Sequence, residues 1–166
     1  GPYKDRAGYD FIIQGMGGFM SITGERDALP GGGPQKAGVA FADVFTGLYA
    51  TVAIQSALIM RQRTGAGQHI DMALFDVMTA AMANQATNAL FGGQPVRMGN
   101  AHPNVAPYAV FPVSDGWFIL AVGNDGQFAR ACDVLGLADE RDDVRFASNE
   151  GRLANREALT EAITAA

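Results

Sequence analysis

Residues 44–60, VFTGLYATVAIQSALIM, form a run of seventeen residues without a charge, entered from Asp43 and left through Arg61. The pattern predicts a helix over about 43–63 that is apolar on most faces. Arg61 and Arg63 suit the negative end of its dipole, and Gly65 stands where a left-handed C-terminal cap is wanted. The run is slightly short for a membrane span, and Thr46, Thr51, Gln55 and Ser56 are spread around it. It reads as a helix buried inside a large or intertwined soluble protein, with no membrane partner.

Upstream, 11–24 leaves two readings open: a glycine-weakened helix with Phe11, Gly15 and Phe19 on one face, or a loop. Residues 25–37, ERDALPGGGPQKA, read as a flexible surface connection. Downstream, 68–75 is a short strand or an extended connector, and 75–91 a second helix with Asp76 near its start. Met78 and Met82 there read as core packing. Composition changes at Gly92-Gly93-Gln94-Pro95, and 97–108 is rich in turn formers. YAVFPV and WFILAV flank Ser114-Asp115-Gly116, which predicts a hairpin. Asn124 is an N-cap with Gln127 at the capping-box position, and Phe128, Ala131, Cys132 and Leu135 share one buried face of the helix to Gly136. Residues 139–146, DERDDVRF, read as a solvated charged loop, and REALTEAITAA as a final helix. The predicted class is α/β: a mainly helical region, 1–96, then a smaller α+β region with an antiparallel hairpin, 97–166.

Composition narrows the function. At 166 residues, 48% hydrophobic and 17% charged, the chain can build a globular core. A net charge of -5 and the lack of a basic face argue against nucleic acid as a partner. One cysteine, Cys132, cannot close an internal disulfide, which suits a reducing compartment; a cytoplasmic location is expected. GPYKDRAGYD has no signal-like apolar segment, and no Met opens the chain. The last helical pattern runs to the final residue, so a piece of a longer polypeptide is expected.

Familiar chemical signatures are missing. His69 and His102 with one Cys make no zinc site, and no HExxH occurs, so no metal is expected. Gly65-Ala66-Gly67 lacks the third glycine of a dinucleotide fingerprint, because Ile70 occupies its place. No phosphate-binding GxxxxGK[ST] or G-x-S-x-G elbow is present. On the residues alone, His102 reads as a loop histidine. Asp43 has two compatible readings: it caps its helix, or it is a chemically active carboxylate held at a helix N-terminus.

Four strings, GPYKDRAGYDFIIQGMGG, KAGVAFADVFTGLYA, RQRTGAGQHIDMALFD and RMGNAHPNVAPYAVFPVSDGWFILAVGNDGQF, resemble the family III CoA-transferases (CaiB/BaiF, formyl-CoA transferase-like) in order and spacing. The resemblance implies a central piece of an intertwined homodimer: 1–96 as helical linker and part of the large domain, 97–166 as part of the small domain. It places Asp43 at the family's catalytic aspartate, which exchanges CoA between an acyl-CoA and a carboxylic acid through an aspartyl-CoA thioester. Coenzyme A is then a substrate, with Arg6 the candidate for contacting it, and no permanent cofactor is needed. Tyr9 is expected to line the acyl pocket. Gly99, Asn100, His102 and Asn104 match a small-domain loop that lies over the aspartate in the family, and are the candidate oxyanion donors.

The α-methylacyl-CoA racemases belong to the same group. Their catalytic histidine falls in an A-G-H-D string, which here is Ala7-Gly8-Tyr9-Asp10. A phenol with an ordinary pKa of about 10 is a poor base near neutral pH, so transfer is favoured over racemisation. The racemase also has a glutamate near the place of Asp125, at a different spacing. The NAHPN..PY string further resembles the dicarboxylate enzymes that use succinyl-CoA. An inactive piece with only an assembly role is the remaining alternative.

Overall fold

The structure, a computed structural model, describes residues 1–166 and divides into two compact units, Gly1–Gly99 and Asn100–Ala166. The first unit contains α1 (Asp10–Met16), α2 (Phe19–Ile22), α3 (Phe41–Thr64), α4 (Leu74–Ala81) and α5 (Ala83–Leu90). The second contains β1 (Tyr108–Val113), β2 (Gly116–Ala121), α6 (Asp125–Leu135), α7 (Ala138–Asp142), a 3₁₀ turn (Val144–Phe146), α8 (Asn149–Ala154) and α9 (Arg156–Ala165). This is a mixed, mainly helical architecture with one two-stranded antiparallel sheet.

In the first unit the long helix forms as its pattern predicts. Gly65 closes α3 with φ 76°, and its N–H donates to Arg61 O at 2.8 Å. The open reading of 11–24 resolves as two short helices broken at Gly17-Gly18, so Phe11 and Phe19 do not share one helical face. A Cβ on Gly17 would lie 2.6 Å from Met78 Cγ, so the missing side chain lets α1 press against α4. Ile13, Ala42 and Met78 form the buried centre, with Phe19, Phe41, Leu74 and Met82 packed around it. Phe41 stacks on Phe19 and Phe45 at centroid distances of 4.8 and 4.3 Å.

Several expectations are corrected. Of the two readings of 68–75 the connector holds: residues 68–73 form no strand, and α4 begins at Leu74. The second helix is interrupted where Ala83 takes φ 46°; no glycine or proline marks the break. Residues 25–37 are tied back instead of loose. Arg97 grips the Asp27 carboxylate through Nε and Nη2, each at 2.7 Å, and donates through Nη1 to Met20 O at 3.0 Å. The expected burial of α3 is not met within these 166 residues. Only Ala42 is buried, while Val44, Leu48, Val52, Ile54 and Ile59 are all more than half exposed. By length and composition alone, α3 is also long and apolar enough to cross a membrane.

The second unit is built on the hairpin. β1 and β2 pair from Tyr108↔Ala121 to Val113↔Gly116, which leaves Ser114-Asp115 as a two-residue turn and brings Gly116 into the strand. Alternation puts Ala109, Phe111, Phe118 and Leu120 on the inner face, against Phe128, Cys132, Phe146, Leu159 and Ile163. Asn124 caps α6 by accepting from Gln127 N at 2.9 Å, and Gln127 Oε1 returns to Gly123 N at 2.6 Å.

The charged loop expected at 139–146 is instead α7 and the 3₁₀ turn, because Phe146 is drawn into the core and Arg141 pairs with Asp133 on α6. Burial, then the nearby Glu140 and Asp133 charges, push the Cys132 thiol above its ordinary 9.0. Its folded value is raised, so its contribution to stability is complete below that ordinary value and is lost as the pH climbs through and beyond it. An alkylating reagent at pH about 8 is therefore expected to modify Cys132 only after denaturation, as peptide mass mapping would show.

Candidate functional site

Asp43 occupies the third position of α3, in the first turn, and is solvent-exposed. It does not cap the helix: Ala40 is the N-cap residue, with no side-chain cap of its own. The cap comes from a residue distant in sequence. Asp10 Oδ1 accepts the Ala42 N–H at 2.8 Å, while Asp10 Oδ2 accepts from Gln14 Nε2 at 2.7 Å. Gln14, fully buried, completes the link by accepting the Ala37 N–H at 2.8 Å through Oε1. A carboxylate and an amide on one turn of α1 thus fix both the start of α3 and the chain entering it. The local sequence reading missed this pair, although the i, i+4 spacing of Asp10 and Gln14 is a recognisable hydrogen-bonding pattern.

With the capping served by Asp10, the Asp43 carboxylate makes no hydrogen bond or ion pair. It sits in the first turn, at the positive end of a 24-residue helix dipole. That arrangement can hold a nucleophilic carboxylate without tying up its lone pairs. Replacing Asp10 by Ala is expected to cost about 1–3 kcal/mol, since it removes a cap and leaves buried Gln14 without one partner. Faster hydrogen exchange at the start of α3 would show it.

The other candidates are placed as follows. Tyr9 precedes α1 and is 71% exposed; Arg6 is exposed, with its guanidinium 4.5 Å from the centre of the Tyr3 ring. At the end of the first unit, Gly99 takes φ 57°, and its N–H is spent on Gly24 O at 2.9 Å. A Cβ there would meet Glu25 Oε1 at 2.8 Å, so both conformation and space favour glycine.

In the second unit the loop is closely wired. The His102 N–H donates to Tyr108 O at 2.9 Å, and the Asn104 N–H donates to His102 Nδ1 at 3.1 Å. Asn149 spans the next stretch: its Nδ2 donates to Asn104 O at 2.9 Å, and its Oδ1 accepts from Ala106 N at 3.1 Å. Arg156 Nη2 reaches His102 O at 2.8 Å and Pro103 O at 3.3 Å. Of the four candidate oxyanion donors, Gly99, His102 and Asn104 have their backbone N–H groups committed within the protein. Exposed Asn100 has no internal hydrogen bond.

Arg152, which sequence reasoning did not single out, anchors this unit with only 1% exposure. It donates to Ala106 O at 2.8 Å, Phe146 O at 2.9 Å and Asp125 Oδ1 at 2.7 Å, with its guanidinium 4.7 Å from the centre of the Phe128 ring. Asp125 is thereby engaged in a structural ion pair at the first turn of α6. No group of three or more His, Cys, Asp or Glu side chains is gathered as a metal ion requires.

The chain matches the model of CoA-transferase family III over residues 1–166. It is 58% identical to the succinate–glutarate CoA-transferase of Agrobacterium fabrum over 165 residues, covering 99% of this chain and 40% of that protein. It is 40% identical to the succinyl-CoA:glutarate CoA-transferase of Mus musculus, covering 99% and 37%. It is 39% identical to the acetyl-CoA:oxalate CoA-transferase of Acetobacter aceti, covering 98% and 41%. Among solved structures, a CaiB/BaiF family protein from Brucella suis matches with a TM-score of 0.76 and 62% identity, over 99% of this chain and 43% of that one. A hypothetical protein from Mycobacterium tuberculosis matches with a TM-score of 0.80 and 26% identity, over 100% and 44%. The chain spans about 40% of the length of the curated relatives it matches. Its sequence and its fold together place it in CoA-transferase family III.

Proposed function

We propose that the whole protein carrying this chain moves CoA between an acyl-CoA and a free dicarboxylic acid, with Asp43 as the nucleophile. One observation carries the reading: Asp43 stands exposed and without a hydrogen bond at a helix N-terminus whose cap is supplied by Asp10. The relatives named above support the substrate class, since their names pair CoA with succinate, glutarate or oxalate.

The chemistry balances without a redox or metal partner. The Asp43 carboxylate attacks the thioester carbonyl, and CoA leaves as thiolate, giving a mixed anhydride. The thiolate attacks the aspartyl carbonyl of that anhydride, which releases the first acid and leaves an aspartyl-CoA thioester. The acceptor carboxylate then attacks this thioester, and the displaced thiolate takes the new acyl group, restoring Asp43. Covalent catalysis of this kind divides one difficult exchange into easier steps. CoA is a substrate, held in part by Arg6, with Tyr9 against the acyl portion; no resident cofactor takes part.

In this reading 1–96 is the helical linker with part of the large domain, and 97–166 is part of the small one. The exposed faces of α3 are covered in an intertwined homodimer in the cytoplasm. An exchange assay with succinyl-CoA and glutarate tests the reading: glutaryl-CoA should form and depend on glutarate. Deuterium uptake at the α-carbon of a 2-methylacyl-CoA, with no acid required, would support the racemase instead.

A further inference from the structure

We propose that Asp10 and Gln14 are positioning residues for the transfer reaction: they cap α3 from outside, and so keep the Asp43 carboxylate from turning back to cap its own helix. This rests on the CoA-transfer reading above, and every residue it uses lies within the first unit. The first turn of a helix carries N–H groups that need acceptors from beyond the helix ladder. In α3, Phe41 N–H donates to Val39 O at 2.8 Å and Val44 N–H to Ala40 O at 3.0 Å, both backbone bonds. The Ala42 N–H is served by a side chain, Asp10 Oδ1 at 2.8 Å. Ala42 is fully buried, so water cannot take over that donor if Asp10 is lost. An aspartate bonds readily to backbone N–H groups beside it, and the next carboxylate along the chain is that of Asp43. An oxygen engaged in this way has one lone pair fewer for attack on a thioester.

The wiring that prevents this has a fixed polarity. Gln14 Oε1 is taken by the Ala37 N–H at 2.8 Å, which leaves only the Nε2 end of the amide for Asp10. Nε2 donates to Asp10 Oδ2 at 2.7 Å, and Oδ1 holds Ala42. Residue 10 must therefore accept at both of its oxygens, which a carboxylate does and an amide cannot. Gln14 is itself fully buried, so a broken link here is left without a substitute. The relay ties the chain entering α3, at Ala37, to the residue just before the nucleophile. For a group that must attack along one direction, a displacement of about 1 Å costs on the order of 100-fold in rate.

The test uses the whole protein with succinyl-CoA and glutarate. Asp10→Ala should lower kcat about 10- to 100-fold and leave both KM values within about threefold, since Asp10 acts through Asp43 and not on the substrates. Asp10→Asn should lose nearly as much, because its single oxygen must abandon either Ala42 or Gln14. Adding Gln14→Glu to Asp10→Asn inverts the relay and gives every donor an acceptor again, so much of the lost kcat should return. Hydrogen exchange at the start of α3 supplies a readout that needs no activity. Asp43→Ala alone should change protection there by less than about twofold. In the Asp10→Ala background the same change should remove about fivefold or more, because Asp43 has by then become the cap. Asp10→Asn takes the place of Asp10→Ala in both arms if the latter does not accumulate. Unchanged kcat in the Asp10 variants, or protection losses that combine independently, would overturn the assignment. Failure of the underlying reading looks different: the unaltered protein would show no exchange, while the coupling between residues 10 and 43 in protection would persist.

Discussion

Replacing Asp43 by Ala in the whole protein is expected to reduce CoA exchange by a factor on the order of 10⁴ or more, with stability changed by less than about 1 kcal/mol. The two halves of that expectation have separate origins. The activity loss follows because the carboxylate is the group that would be acylated, and an alanine offers no atom to take its place. The small stability change follows because the side chain is exposed and makes no hydrogen bond, while Asp10 keeps the helix capped. Only its favourable position in the dipole is given up. Comparing exchange rates and melting midpoints of the two proteins checks both halves.

Replacing Arg152 by Met should act in the opposite way, through folding. The guanidinium serves two buried carbonyls, Ala106 O and Phe146 O, as well as the Asp125 carboxylate. Methionine fills part of the volume and returns none of the donors, so a loss of about 3–5 kcal/mol is expected in the second unit. Lysine should rescue little, since a point charge cannot reproduce a planar fork with three acceptors. Asp125→Asn should cost less than about 1 kcal/mol, because that partner is 65% exposed and its contact is screened by water. Hydrogen exchange is the suitable measurement, since a protein of several units need not unfold in one step. A loss of about 3 kcal/mol corresponds to roughly 100-fold or more in the protection of α6 and α8.

These two residues also show what the sequence made legible. Elements specified by neighbours were readable: α3 up to Gly65, the hairpin around Ser114-Asp115, and α6 between its Asn124–Gln127 box and Gly136. Each depends on a periodicity and a terminal signal within a few residues. Choices that depend on distant partners were not readable. Nothing local to Asp43 indicates that its helix is capped from 32 positions away in sequence, and so the capping reading looked sound. Nothing local to Arg152 distinguishes it from a surface arginine, because its acceptors come from Ala106, Asp125 and Phe146. Likewise 139–146 looked solvated by composition, until Phe146 found its place against the hairpin core. For the site, Asp43 and the loop through His102 came from resemblance, while the supporting residues Asp10, Gln14, Asn149 and Arg156 emerged only from the folded contacts.

The most direct measurement is to trap the intermediate. The whole protein is incubated with succinyl-CoA, treated with hydroxylamine and digested for mass spectrometry. A hydroxamate is expected on the peptide containing Asp43, at that residue, and it should disappear when glutarate is supplied first in excess to discharge the thioester. Turnover with no modification at Asp43, or with the label on a different carboxylate, would contradict it.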